Sequence, residues 1–382
     1  VAGPNAPVRV TLACSGLDHV VRGYETIARD LFRALHDSSV VDLDLVKGSG
    51  PTDGSERSLG CVRRDGAVLP RLARLVRRPS AAYEIEAVSF AAPLLRHLRR
   101  HRPNVLITSD KPTAIALHGA RRITGGDFRI LFSNGGPYDG PFPYADFVQH
   151  LTEGAHTTAE GLGEPRERSV VVPYGFDLPA LVDRASAAAL RPELGLPTDR
   201  VVVITVGALD LHHKRHDHLA AAIARLPAPR PFLLLLGQPT PETDVLHARL
   251  RAALGSDGYA ARTVAPGDVP RHLAAADVFA LASLVEGFGR AYVEAAAAGL
   301  PCVVHDFPVA REVLGPWGRF TDMADVDAVA DAMADAVADA VSAVARQPRV
   351  DQAAWIAERY GWPSLRPRYE AMLARAATIS LR

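Results

Sequence analysis

The sequence predicts an α/β protein made of two doubly wound domains with parallel sheets. Short β-branched or leucine-rich runs alternate with amphipathic stretches along the chain, the pattern of strands covered by helices on both faces. The alternation restarts after VVPYGFDLPA (171–180), where two prolines and a glycine mark a domain junction. At 382 residues the chain is long enough for each half to bury its own core.

Each element follows from its local pattern. Val8–Cys14 reads as a buried strand, and 24–35 as a helix with Ile27, Leu31 and Leu35 on one stripe. Residues 40–46 alternate as a strand, whereas 48–80 is polar, arginine-rich and weakly periodic. A helix over 81–99, a strand over 105–108, a helix through 114–121 and strands over 129–133, 147–151 and 170–172 complete the first half. The second half offers strands at 201–206, 232–236, 260–264, 278–282 and 302–305 with helices between. The aspartate- and alanine-rich run 324–341 reads as a solvated amphipathic helix, and the final stretch as two helices broken at Gly361-Trp362-Pro363. The expected domains are 1–175 and 176–363, facing each other across a cleft, with a helix at about 364–382 packing back on the first. Ligands of doubly wound sheets bind outside the carboxyl ends of the strands, so the cleft is the default site.

Lys+Arg and Asp+Glu balance at 43 each, which argues against a nucleic-acid or other polyanion binder. The basic residues are almost all arginine; the lysines are Lys47, Lys111 and Lys214. Cys14, Cys61 and Cys302 have no CxxC spacing and cannot all pair, which favours a reducing cytoplasm. No signal peptide is visible at the start, and no apolar run approaches the ~20 residues of a membrane span. The expected location is cytoplasmic, with no integral membrane segment.

The stretch with the most chemistry is EGFGRAYVEAAAAGLP (286–301), which follows the strand VFALAS. A helix N-terminus offers unpaired N–H groups and a partial positive charge, and glycines let an anion approach the backbone. Such a mouth suits a diphosphate. Glu286 and Glu294 flank it, and carboxylates cannot bind phosphates; they suit hydroxyls, a sugar at one end and a ribose at the other. The implied ligand is a sugar nucleotide.

The segment SLVEGFGRAYVEAAAAGLPCV resembles the E-x7-E signature of retaining GT-B glycosyltransferases, in particular glycosyltransferase family 4. VPYGFD is similar to that family's junction motif, VGALDLHHKRHDHLAAAI to its strand, loop and helix bearing a phosphate-binding lysine, and LLLLGQP to the strand and glycine near the nucleotide. HDFPVAREVLG resembles the segment carrying a family glutamate, here Glu312, and GLDHVVRGYETIARDL its glycine loop and first helix. The resemblance implies GT-B architecture, two Rossmann-like domains, and retaining, metal-independent transfer of a sugar from a nucleotide diphosphate sugar to an acceptor hydroxyl. It implies no cofactor beyond that donor. Glu286 would bind the donor sugar and Glu294 the ribose. Backbone groups of Gly287, Phe288, Gly289, Arg290 and Ala291 would hold the diphosphate, Lys214 would neutralise it, main-chain groups around Val264 would meet the base, and Gly23 would line the sugar-facing loop. Two positions depart from the family pattern. Ala208 stands where an arginine is frequent, with Arg215 as the available replacement. Asn134 stands where a histidine often contacts the donor sugar, and it cannot titrate near neutral pH. The acceptor is a glycan or a small molecule such as a secondary metabolite. A phosphorylase, a nucleotide-sugar epimerase and a non-catalytic sugar-nucleotide binder are the alternatives.

Other clusters read more simply. HHKRHDH (212–218) has metal-like histidine spacing, but exposed histidines in a loop and first helical turn account for it. Asp42-Leu43-Asp44 has a D-x-D form but lies in an alternating strand, where it gives two aspartates on a solvent face. The arginines between 57 and 78 read as a solvated face, and His118 as a helix residue without a catalytic part.

Overall fold

A computed structural model describes residues 6–20, 23–66, 81–136, 138–342 and 350–382, without the side chain of Arg184. The chain divides into two compact units, Val1–Asp177 with Trp362–Arg382, and Leu178–Gly361. Arg71, Arg74, Arg77 and Arg78 of the arginine-rich stretch lie outside the described residues.

The first unit is built on a parallel sheet of β1 (Val8–Cys14), β2 (Val41–Lys47), β3 (Glu56–Ser58), β4 (Val105–Thr108), β5 (Arg129–Asn134), β6 (Phe147–His150) and β7 (Ser169–Val171). Their spatial order is β3-β2-β1-β4-β5-β6-β7, so the winding reverses between β1 and β4. Helices Gly23–Leu35, Ala81–His101, Lys111–Thr124 and Glu153–Gly161 connect the strands. One face packs β1 and β2 residues such as Leu12 and Leu43 against Leu31 and Leu35, and the other packs Phe90, Leu94 and Leu117 against Ile130 and Phe132. Burial on both faces is why these strands are continuous apolar runs.

Two elements have no apolar signature in the sequence. The strand β3 is three polar residues, held by charge instead. Lys47, almost wholly buried, sets its ammonium 2.8 Å from Glu56 and 2.5 Å from Asp18, and Arg29 meets both carboxylates. Surrounding positive charge and hydrogen bonds hold the Asp18 and Glu56 carboxyls below their usual range despite partial burial. The other unheralded element is a half-buried strand at the edge of the second sheet. Helix Lys111–Thr124 also begins earlier than periodicity indicates, because Pro112 falls in its first turn, where no N–H is needed.

The second unit carries β8 (Val202–Val206), β9 (Phe232–Leu236), β10 (Tyr259–Arg262), β11 (Val278–Leu281), β12 (Cys302–His305) and β13 (Gly318–Thr321). All pair in parallel, in the order β10-β9-β8-β11-β12-β13, so this sheet reverses between β8 and β11. The aspartate-rich helix Val326–Val341 turns Val329, Ala330, Met333, Ala336 and Ala340 inward. Its Asp325 accepts from the amides of Asp327 and Ala328 and so caps the helix. Among the described residues no helix is long and apolar enough to cross a membrane.

The last helix, Trp362–Thr378, belongs to the first unit. It adds Trp362, Leu365, Tyr369, Met372, Leu373 and Ala376 to the core beside β1. The Tyr369 hydroxyl donates to Pro173 O (3.1 Å) and accepts from Gln149 Nε2 (2.9 Å). Trp362 lies so close to Gly175 that a Cβ there would come within 2.5 Å of the indole. Truncating Leu365 to alanine is expected to cost about 2–5 kcal/mol in the denaturant transition of the first unit. The transition of the second unit should not move, which unit-specific tryptophan or exchange probes can check.

Candidate active site

The two loops that carry the predicted residues leave adjacent strands at the reversal point of the second sheet. One, 207–215, follows β8 and the other, 282–289, follows β11. Lys214 and Glu286, 72 residues apart, meet there: the ammonium donates to Glu286 Oε1. Both are largely shielded, with side-chain exposures of 14% and 11%. His213 reaches the same place, its Nε2 lying 3.2 Å from Val285 O and 3.7 Å from Glu286 Oε1.

Local geometry explains how Lys214 arrives. Asp210 Oδ1 accepts from the amides of His213 (3.0 Å) and Lys214 (2.6 Å), folding the loop back as a capping aspartate does. The lysine stem then runs over Gly207, where a Cβ would sit 2.8 Å from Lys214 Cε. Gly237, at the end of β9, abuts in turn: its Cβ would lie 1.7 Å from the Gly207 carbonyl oxygen. Two glycines thus open the strand ends. The sequence shows them, but their shared purpose appears only when β8 and β9 are side by side.

The glycine-rich mouth is tightly built. Gly289 precedes helix Arg290–Ala297 with φ +80°, a left-handed conformation, and a Cβ on it would come 2.3 Å from the Tyr292 ring. Phe288 is buried with its ring edge-on to Tyr360 at 5.6 Å, so its side chain anchors the loop. The first amides of a helix have no partner within it. Arg290 Nε donates to Glu294 Oε1 at 2.7 Å, joining two predicted contacts one helical turn apart. Tyr292, not singled out from sequence, has a buried hydroxyl without a partner among the described residues, and burial reinforced by the Glu286 charge raises its pKa.

The remaining predicted residues fall elsewhere. Val264 follows β10, next to Thr263, whose hydroxyl donates to Gly237 O at 2.7 Å. Arg215 adjoins Lys214 in sequence, but its guanidinium donates to Met323 O (2.9 Å) and meets His218 Nδ1 (3.3 Å). The structure therefore does not bring that guanidinium to the Lys214–Glu286 contact. The left-handed backbone at Arg215 (φ +52°) turns it toward Met323 instead. Gly23 and Asn134 are in the first unit. Gly23 opens its first helix with free space at its Cβ position. Asn134 ends β5, 3% exposed, and its Nδ2 donates to Tyr138 O at 2.9 Å.

The metal-like histidines diverge. His212 faces Glu242, His216 donates to Ala208 O (2.9 Å), and His218 faces Arg215. Among the described residues the group that could hold a metal is His19, Cys61 and Glu86. There Arg64 donates to both oxygens of Glu86, and burial pushes the Cys61 thiol up to about 12, so carboxylate and thiol are both poorly disposed to a cation. In the D-x-D of β2, Asp44 pairs with Thr11 and His97, while Asp42 is exposed. His118 sits on its helix 3.5 Å from Arg121.

His216 makes the loop pH-sensitive. Burial lowers its pKa to about 4, below the unfolded value near 6.5. Between those values the unfolded chain binds the extra proton, so the second unit loses stability as pH falls, by about 3 kcal/mol over the window. Replacing His216 by glutamine is expected to remove that component, read from the second unit's denaturation midpoints at pH 7 and pH 4.5.

Residues 186–353 match the family model described as glycosyl transferases group 1. The chain is 34% identical over 152 residues to a D-inositol 3-phosphate glycosyltransferase of Kineococcus radiotolerans, covering 37% of this chain and 35% of that one. It is 31% identical over 242 residues to a GDP-mannose-dependent α-(1-6)-phosphatidylinositol monomannoside mannosyltransferase of Mycolicibacterium smegmatis, covering 60% and 61%. The chain thus spans between about a third and three-fifths of the length of these curated relatives. The fold is similar to that of Anabaena HepE solved with UDP and glucose (TM-score 0.72, 17% identity, 96% of this chain and 99% of that one). It is also similar to sucrose-phosphate synthase of Thermosynechococcus elongatus (TM-score 0.77, 18% identity, 96% and 98%). The fold is GT-B-like, and within the second unit residues 186–353 are similar to the glycosyl transferases group 1 family.

Proposed function

We propose that this chain is a retaining glycosyltransferase that moves a sugar from a nucleotide diphosphate sugar to an acceptor hydroxyl. The observation that carries this reading is the meeting of Lys214 and Glu286 at the strand ends of β8 and β11, beside the left-handed Gly289 and its helix mouth. The amides from Phe288 to Ala291 and the Lys214 ammonium take the diphosphate, while Glu286 accepts from donor-sugar hydroxyls, Glu294 from the ribose, and main chain near Val264 meets the base. Gly23, on the first unit, is assigned to the transferred sugar, and the rest of that unit, Asn134 included, to the acceptor. Arg215 is left to a structural contact.

Chemistry then needs little beyond charge stabilisation. As the glycosidic C–O bond breaks, negative charge builds on the leaving diphosphate, and a phosphate oxygen takes the acceptor's proton as the new bond forms on the same face. Lys214 and preorganised amides stabilise that charge without a metal, the role in which such donors contribute most. The relatives' names mention GDP-mannose and inositol phosphate, and one similar structure holds UDP and glucose, so a hexose donor and a polyol or glycan acceptor, including one on a secondary metabolite, are in keeping.

Thermal shifts with UDP, GDP, ADP and dTDP are the direct test. One nucleotide at a hundredfold its dissociation constant is expected to add about 2.7 kcal/mol and raise the melting temperature by several degrees. Lys214→Ala should abolish that shift, keep the circular dichroism spectrum, and lower turnover by about 10²–10³-fold. Glu286→Ala should reduce sugar transfer more than nucleotide affinity. No shift with any nucleotide, or normal turnover in Lys214→Ala, would overturn the reading.

A further inference from the structure

We infer that the first unit holds an anion-binding acceptor subsite centred on Lys111, so that the acceptor is a hydroxylated molecule bearing a phosphate or carboxylate. This rests on the transferase reading only in calling the ligand an acceptor; the anion site stands on its own observations.

The three lysines of the chain are used differently. Lys47 and Lys214 each pair with a carboxylate. Lys111, half-buried, has no ion pair among the described residues and lies instead 4.6 Å from the centroid of the Tyr138 ring. An ammonium over an aromatic face keeps its charge available to an anion. Its place in the fold matters as much. Lys111 follows β4, next to the reversal point between β1 and β4, and it opens the 14-residue helix Lys111–Thr124. That is where a doubly wound sheet binds ligands and where a helix dipole favours negative charge. Asp110 does not neutralise either. Its side chain makes no capping bond, and its oxygens accept from Ser15 N (2.9 Å) and Tyr83 O–H (3.2 Å).

A second, independent observation calls for a ligand at the same strand ends. Asn134 terminates β5, the neighbour of β4, and is 3% exposed. Its amide nitrogen holds Tyr138 O, the residue whose ring carries Lys111, but its Oδ1 has no partner among the described residues. Ser109 Oγ, two residues before Lys111, is also buried without a partner. Buried polar atoms are rarely left unpaired unless a ligand or water completes them. An acceptor oxygen and a hydroxyl suit a polyol, the ammonium and the helix end suit an anion, and together they describe a phosphorylated or carboxylated sugar or cyclitol.

The test measures binding of glucose 6-phosphate, glucuronate and glucose by calorimetry, with inorganic phosphate as a fourth probe. A Lys214→Ala background silences the second unit's diphosphate mouth. The anionic sugars are expected to bind about tenfold or more tightly than glucose, with the preference lost in Lys111→Met and kept in Lys111→Arg. The tighter of the two anionic sugars tells phosphate from carboxylate. Equal affinity for charged and neutral sugars, an undiminished preference in Lys111→Met, or no binding of any probe would overturn the proposal. Because Lys214 is absent throughout, these outcomes are independent of nucleotide binding. Should Lys111→Met fail to fold, loss of the anion preference in Tyr138→Leu and its retention in Tyr138→Phe serve instead, and an unchanged preference in Tyr138→Leu overturns it.

Discussion

One contact organises the second unit: a lysine and a glutamate from different loops share a mostly water-excluded space at the sheet's reversal point. Burying either charge alone would cost several kcal/mol, so each depends on the other being delivered accurately. Much of the surrounding structure serves that delivery. Gly207 and Gly237 thin the strand ends so the lysine stem can pass, Asp210 bends its loop, and His216 ties that loop to its helix through Ala208 O. On the other side Gly289 and Phe288 fix the turn from which Glu286 projects.

Under the proposed function, the pairing gives the site two roles in one space. A carboxylate can neutralise the lysine while no diphosphate is bound and accept from sugar hydroxyls when one is. The ammonium then becomes available to phosphate oxygens without having been buried alone. The exchange of partners costs less than creating a charge in a closed pocket would. Tyr292 beneath Gly289 adds a buried hydroxyl whose pKa is raised by burial and by the Glu286 charge.

The first unit meets the problem of charge at strand ends differently. Lys47 and Arg29 are spent on Asp18 and Glu56, tying a polar edge strand to the sheet. Arg64 is spent on Glu25 and Glu86. Lys111 stands apart from these networks, over an aromatic ring and near two unfilled polar atoms. Several charges of this unit are paired within it, whereas Lys111, at the reversal point, has no ion pair among the described residues.

By itself the sequence determined the class of fold and the strongest part of the site. Continuous apolar runs of strand length such as VVITV and FLLLL read as strands buried on both faces, and EGFGRAYVE carries its glycines, its helix start and both carboxylates within nine residues. Such information is local, and local patterns survive in one dimension. The tertiary structure decided what depends on neighbours distant in the chain. Strands β3 and β13 were invisible because ion pairs and edge pairing, not apolar periodicity, hold them. Arg215, beside Lys214 in sequence, points to Met323 because its left-handed backbone turns it there. The reason Gly207 must be glycine exists only where Lys214 crosses it, and the seat of Lys111 over the Tyr138 ring, without an ion pair among the described residues, is known only from the folded chain.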